Sequence, residues 1–308
     1  MHRFVAAGFT LTSILVGLSH AQLRPSSKIA IAHRGASAYA PEHTLAAYRL
    51  AIAQGADYVE QDLAVSRDGH LICLHDDSLE RTTNVEEIFP ERGAVDSASG
   101  RRQWLAVDFT LAEIRQLDAG AWFDPRFAGE RVPTWEEAVA LVGTSAGLYP
   151  ELKTPALYES RRIDMTQLFA ESVKRLNLDS RPIGSLIVQS FDDRPLRELA
   201  KRLPQVPRTF LIEGRDGPRW LTREGLAKIA TFATGIGPSK FLLDGQPGMV
   251  RMAHEAGLTV TPYTFTTRGP ATRFADVGAE MRHYLLELGV DALFTDNPDR
   301  FPRDAASR

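Results

Sequence analysis

A single cysteine, Cys73, stands in a chain of 308 residues. One thiol excludes an internal disulfide, and it excludes a zinc or iron–sulfur centre built on several thiolates. Cys73 lies in the apolar run Leu71–Leu74 and reads as a buried structural thiol. Basic runs are also missing. Lys and Arg number 36 against 39 Asp and Glu, for a net charge of −3, and pairs such as Arg101-Arg102 and Arg161-Arg162 form no stripe. Nucleic acid is therefore not an expected partner. No glycine-rich phosphate fingerprint follows the first strand-like run, which argues against an open dinucleotide-binding sheet. No apolar run reaches the ~20 residues that a spanning helix needs. The nearest, Phe4–Leu18, follows His2-Arg3 and precedes Ser19-His20-Ala21. That is the pattern of a secretory leader over 1–21, cleaved after Ala21, with the mature domain over 22–308. The expected location is outside the cytoplasm, periplasmic or released, with no stable membrane insertion after cleavage.

What is present is a regular alternation of strand-like and helix-like stretches, in a chain 44% hydrophobic and long enough for one large core. Strands are expected at Lys28–Ala32, Tyr58–Val65, Gly147–Leu152, Leu186–Ser190, Thr209–Ile212, Ala233–Ile236, Thr259–Tyr263 and Ala292–Thr295. Helices fall between them, among them Pro41–Ala53, Asp193–Arg202 and Ala275–Leu288. Eight alternating strands predict an α/β fold of the (β/α)8, or TIM-barrel, class, with its site at the C-terminal ends of the strands. His33, Glu60, Asp62, Glu151, Lys153, Gln189, Tyr263 and Asp296 all fall there. A ninth strand-like run, Leu71–Leu74, returns from the second strand as a hairpin. Between it and the helix beginning at Thr134 lies an insertion, approximately 77–132, rich in Gly, Pro and aromatics and expected to cap the site. Trp122, Phe123 and Phe127 either line that cap or hold the segment together.

The stretch from Ile29 to Asp76 carries most of the candidate chemistry. Glu60 and Asp62 are two apart on a strand, so they share a face with Cα atoms roughly 6.6 Å apart. Two carboxylates on one apolar face repel and lose hydration, and a hard divalent cation relieves both. Asp68-Gly69 marks a tight turn joining antiparallel strands. With these two residues at the turn centre, His75 falls opposite Asp62; a slip of one residue brings it opposite or beside Glu60. Either register sets an imidazole by the acidic pair. A carboxylate pair, a cation and an imidazole are parts for hydrolysing an anionic ester, and His33 ends the first strand nearby.

The segments AHRGASAYAPEHTLAAY, GADYVEQDLAVSRDGHLICLHDDSLERTTN, YPELKTP, VQSFD, GIGP, PYTFTTR and LFTDNPD occur in this order over nearly the whole mature chain. Together they resemble the glycerophosphodiester phosphodiesterase family, most closely its exported bacterial subgroup. The resemblance implies metal-dependent hydrolysis of small-molecule glycerophosphodiesters to sn-glycerol 3-phosphate and an alcohol. It implies Glu60, Asp62 and Glu151 as ligands of one divalent cation, Ca²⁺ first and Mg²⁺ as the alternative. It implies His33 and His75 as the acid and base pair, and Arg34, Lys153, Gln189 and Tyr263 as substrate-binding groups. Many family members have Asn after the Glu of the early motif, where this chain has His43 after Glu42. The competing readings are a phospholipase D-like enzyme acting on lysophospholipid or phospholipid, and a barrel that only binds a ligand.

Overall fold

The computed structural model describes residues 28–97, 99–214, 217–246, 248–270 and 272–303. The leader expected at 1–21 lies outside the described residues. Among the described residues eleven strands occur: β1 Ile29–Ala32, β2 Tyr58–Val65, β3 Leu71–Cys73, β4 Ala94–Val95, β5 Arg102–Gln103, β6 Gly147–Leu152, β7 Val188–Ser190, β8 Arg208–Ile212, β9 Gly235–Pro238, β10 Thr259–Val260 and β11 Ala292–Thr295. Eight of them are parallel neighbours in the order β10-β9-β8-β7-β6-β2-β1-β11. The ends of this sheet approach each other, with Asp291 N donating to Val260 O (3.0 Å) and Phe294 N to Pro262 O (3.1 Å). The result is the expected α/β barrel, nearly closed.

Alternation along each strand explains what fills the barrel. Outward side chains such as Ala30, Val59, Leu63, Leu148, Val188, Ile236 and Leu293 join the main core beneath the helices. Inward side chains change character along the barrel axis. Ile31, Tyr149, Ala292 and Phe294, backed by Tyr58 and Ile187, form a separate small apolar plug. Tyr149 meets Phe294 edge-on at 5.1 Å and Tyr58 at 5.8 Å. Gly147 makes room for this plug, because a Cβ there would lie 2.3 Å from the Tyr58 ring. Two residues further on, the inward positions are polar: His33, Glu60, Glu151 and Asp296. The plug is thus an apolar floor on which a polar site stands.

The β2–β3 hairpin pairs Leu63 with Cys73 and Val65 with Leu71. This is the one-residue slip, not the register that sets His75 opposite Asp62. Gly69 N donates to Ser66 O (3.0 Å) and Ser66 N to His70 O (2.9 Å), with Gly69 at φ +83°. The turn centre is therefore Arg67-Asp68, followed by a left-handed glycine bulge, a common three-residue hairpin link. Leu74 N reaches Asp62 O (2.9 Å), and His75 leaves the ladder level with Gln61, beside Glu60.

Two helices differ from their sequence reading. The helix expected at Pro41–Ala53 runs from Leu45 to Ala53, because Thr44 caps it by accepting from Ala47 N and the residues before it form a loop. The helix expected at Ala275–Leu288 is α-helical over Val277–Arg282 and widens to a π-helical turn over His283–Leu288. The segment 77–132, between β3 and the helix Trp135–Val142, holds short helices and the β4–β5 ribbon. Its Leu79, Val85, Trp104, Phe109, Ile114 and Leu117 join the main core. Among the described residues no helix is long and apolar enough to cross a membrane.

Candidate functional site

A cavity of about 380 Å³ opens at the C-terminal ends of the barrel strands. Its lining includes the nine residues to which the family resemblance gives catalytic, metal-binding or substrate-binding roles, His33, Arg34, Glu60, Asp62, His75, Glu151, Lys153, Gln189 and Tyr263; Asp296, also expected at the strand ends, stands behind His33 instead. A larger cavity of about 610 Å³ adjoins it, sharing Glu151, Lys153, Phe191, Leu211 and Glu213 as common wall.

Three carboxylates form the base of the first cavity. β2 and β6 run in parallel with Asp62 level with Glu151, so Glu60 and Asp62 from one strand and Glu151 from the next converge. All three are buried, between 1% and 5% exposed. Burial, then repulsion from Asp62, pushes Glu151 up to about 8 and Glu60 well above the ordinary carboxylate range. Burial would raise Asp62 as well, but Lys153 and a hydrogen bond from His43 hold it well below its ordinary value. Lys153 Nζ lies 3.3 Å from Glu151 Oε1. No hydrogen-bond donor reaches Asp62 Oδ1 among the described residues, although that atom is buried. Such a base is short of positive charge.

Arg34 follows β1 at φ +56°, and Gly35 after it sits at +85° with its Cα face against Ala47. This left-handed pair turns the chain so that Arg34 N donates to Glu60 Oε2 (2.6 Å) while its guanidinium reaches Glu42 (3.0 Å) and Asp62 (3.4 Å). Glu42 in turn accepts two bonds from Arg81, at 2.7 and 3.0 Å, and Arg81 also pairs with Asp76. Burial opposes ionisation of Glu42, yet the two guanidiniums bring it to about 2. Asp76 is likewise lowered, against its burial, by His75 and Arg81.

Each histidine is tethered by a carboxylate. His33 Nδ1 lies 2.7 Å from Asp296 Oδ1, whose oxygen also accepts from the Ser37 hydroxyl at 3.0 Å. His75 Nδ1 lies 2.6 Å from Asp76. Both imidazoles border the cavity, and tethering through Nδ1 leaves Nε2 available, as proton transfer requires. Gln189 Nε2 approaches Glu60 at 3.4 Å, and the Tyr263 hydroxyl donates to Ile212 O at 3.3 Å. Burial, with Glu213 adding to it, keeps Tyr263 protonated far above neutral pH.

Residues that the sequence reading did not place in the site include Glu42, Asp76, Arg81, Phe191 and Glu213. Asp76 had a visible signal, since it directly follows His75; Glu42 and Arg81 had none, because 39 residues separate partners that meet only in the fold. His43 was singled out only as a departure from the family pattern. It is 3% exposed and bonded to Asp62, and its donor atoms lie within 4.8 Å of those of Glu60 and Asp62. Trp122, Phe123 and Phe127 stack edge-on at 5.7 and 5.8 Å and do not line the cavity, so they hold their segment together rather than cap the site.

The family described as "Glycerophosphoryl diester phosphodiesterase family" matches residues 33–300. A glycerophosphodiester phosphodiesterase of Bacillus subtilis (strain 168) is 34% identical, covering 95% of this chain and 92% of its own. One from Haemophilus influenzae is 29% identical, covering 89% and 88%. Among solved structures, a putative glycerophosphoryl diester phosphodiesterase from Silicibacter pomeroyi DSS-3 superposes with a TM-score of 0.71 at 28% identity, over 91% of this chain and 94% of that one. A phosphodiesterase from Oleispira antarctica, solved with its product sn-glycerol-3-phosphate, gives 0.70 at 27% identity, over 91% and 96%.

Proposed function

The chain belongs to the glycerophosphoryl diester phosphodiesterase family and is an enzyme of that activity, and on this premise we propose a metal-dependent, histidine-assisted mechanism in the 380 Å³ cavity. The observation that carries the reading is the convergence of three buried carboxylates with two carboxylate-tethered histidines in one cavity. Glu60, Asp62 and Glu151 would hold one divalent cation. They fit it: all are buried, burial and then mutual repulsion raise two of them, and no donor among the described residues reaches Asp62 Oδ1. An all-oxygen set favours Ca²⁺, with Mg²⁺ as the alternative. When bound, the cation supplies Lewis-acid stabilisation of charge on the phosphoryl oxygens.

Arg34 and Lys153 supply charged donors for the phosphate, and Gln189 and Tyr263 border the same space. One histidine takes the proton of the glycerol hydroxyl beside the phosphate. That oxygen attacks phosphorus, and the other histidine protonates the departing alcohol, leaving a cyclic phosphate. Water then opens the ring with the two histidines exchanging roles, and sn-glycerol 3-phosphate leaves. The adjoining 610 Å³ cavity offers room for the alcohol.

Glycerophosphocholine incubated with the purified protein in Ca²⁺, in Mg²⁺ and in chelator tests the reading. Release of glycerol 3-phosphate with cation and its loss in chelator is the expected result; release insensitive to chelator would overturn the metal role. We also propose export through a leader over 1–21, for which the mature protein should begin at Gln22.

A further inference from the structure

His43 sits in the loop after β1 with left-handed backbone, φ +54°, and both of its ring nitrogens are engaged. Nε2 lies 2.8 Å from Asp62 Oδ2, and Nδ1 lies 2.9 Å from the hydroxyl of Tyr48. Tyr48 is fully buried on the helix Leu45–Ala53, with its ring edge-on to the imidazole at 6.2 Å. A carboxylate oxygen facing an imidazole accepts, so Nε2 carries a hydrogen and donates. By proximity alone His43, Glu60 and Asp62 make a group able to ligate a metal. The hydrogen bonds argue otherwise. A donating Nε2 has no lone pair to offer, and Nδ1 is turned to the tyrosine.

The two oxygens of Asp62 thereby become unequal. Oδ2 takes His43 and lies 3.4 Å from Arg34 Nε, while Oδ1 is buried with no donor among the described residues. We infer that His43 is a positioning residue: held by Tyr48, it fixes Asp62 through Oδ2 and so presents Oδ1 to the cation. This rests on the metal reading given above. Carboxylates that bind metals are commonly oriented by such hydrogen bonds, and losing one typically costs about 10–100-fold in affinity. The loop carrying His43 and the strand carrying Asp62 are thus locked by one contact, 19 residues apart in sequence.

Calorimetric titration of Ca²⁺ into the metal-free full-length protein tests this, comparing wild type, His43→Phe and His43→Gln. Phe keeps the ring and removes the donor; Gln places an amide N–H near the position of Nε2. The expected result is binding weakened about 10–100-fold in His43→Phe and restored to within about threefold of wild type in His43→Gln. Equal affinity in wild type and His43→Phe would overturn the inference. Equal loss in both variants would also overturn it, in favour of an imidazole ligand. Nitrogen-15 spectra of the wild-type imidazole give a readout that needs no variant to fold: the Nε2–H form is expected before and after Ca²⁺, and loss of that hydrogen on adding Ca²⁺ would overturn the inference. A wild type that takes up no cation would instead sink the metal reading itself.

Discussion

Two groups of acidic side chains meet at this site and behave in opposite ways. The base of the cavity has Glu60, Asp62 and Glu151 sharing Lys153 and one edge of Arg34; there Glu151 is pushed up to about 8. The strap beside it runs Arg34–Glu42–Arg81–Asp76 and ends on His75; there Glu42 falls to about 2. Glu42 in the strap is mostly covered, as the base carboxylates are, yet its carboxyl moves the other way, so burial alone does not set the direction. The strap matches two carboxylates with two guanidiniums, whereas the base leaves carboxylates in excess. The strap is a finished structural element, and the base is unfinished until positive charge arrives.

The largest effects are expected at the two histidines that border the same cavity. His33→Ala and His75→Ala should each lower turnover by about 10²–10⁴-fold while circular dichroism shows an intact fold. A near-normal rate in either variant would remove that histidine from proton transfer. Next comes the base itself. Glu60→Gln should cost about 10²-fold or more in turnover, because it removes the charge of a proposed ligand and weakens the bond from Arg34 N. Ca²⁺ titration should show the affinity falling with the rate, and unchanged affinity would separate Glu60 from the cation.

The strap should respond in stability. Glu42→Gln replaces the carboxylate shared by both guanidiniums with a neutral amide and should destabilise by about 2 kcal/mol, lowering the melting temperature by roughly 3–4 °C. No shift would mean that Arg34 and Arg81 find other partners. The base should show a smaller, opposite signature in pH. In chelator, the folded chain keeps the Glu151 proton up to about 8, whereas the unfolded chain releases it near 4.5. Stability from this group is full below 4.5 and lost as pH rises through 8, so the melting temperature should fall over that window and recover on adding cation. A flat profile would contradict the excess of carboxylate. The least effect is expected for Arg81→Lys, which keeps charge but loses the paired bonds to Glu42, at about 1 kcal/mol or less.

The barrel was legible because strand and helix periodicities alternate eight times and a parallel sheet buries both faces of its strands. The positions of Glu60 and Asp62 followed from a period of two along β2, and Asp193–Arg202 and Ala292–Thr295 agree with the structure to the residue. The start of the first helix was misplaced because Pro41 looks like a helix opener, while the cap that counts is Thr44. The hairpin register was open because Asp68-Gly69 suits two turn geometries, and the bulge at Gly69 decided between them. The role of the aromatics at 122–127 was undecidable locally, since stacking on each other and lining a cavity demand the same residue types.

By itself, then, the sequence determined the eight barrel strands and the inward polar positions at their ends, because these depend on spacing along single elements. The tertiary structure alone decided who partners whom there: His33 with Asp296, Glu42 with Arg81, and His43 with Asp62. Those pairings join distant parts of the chain, and the balance of charge within each buried cluster fixes their protonation. Neither the meeting nor the balance is written in local spacing.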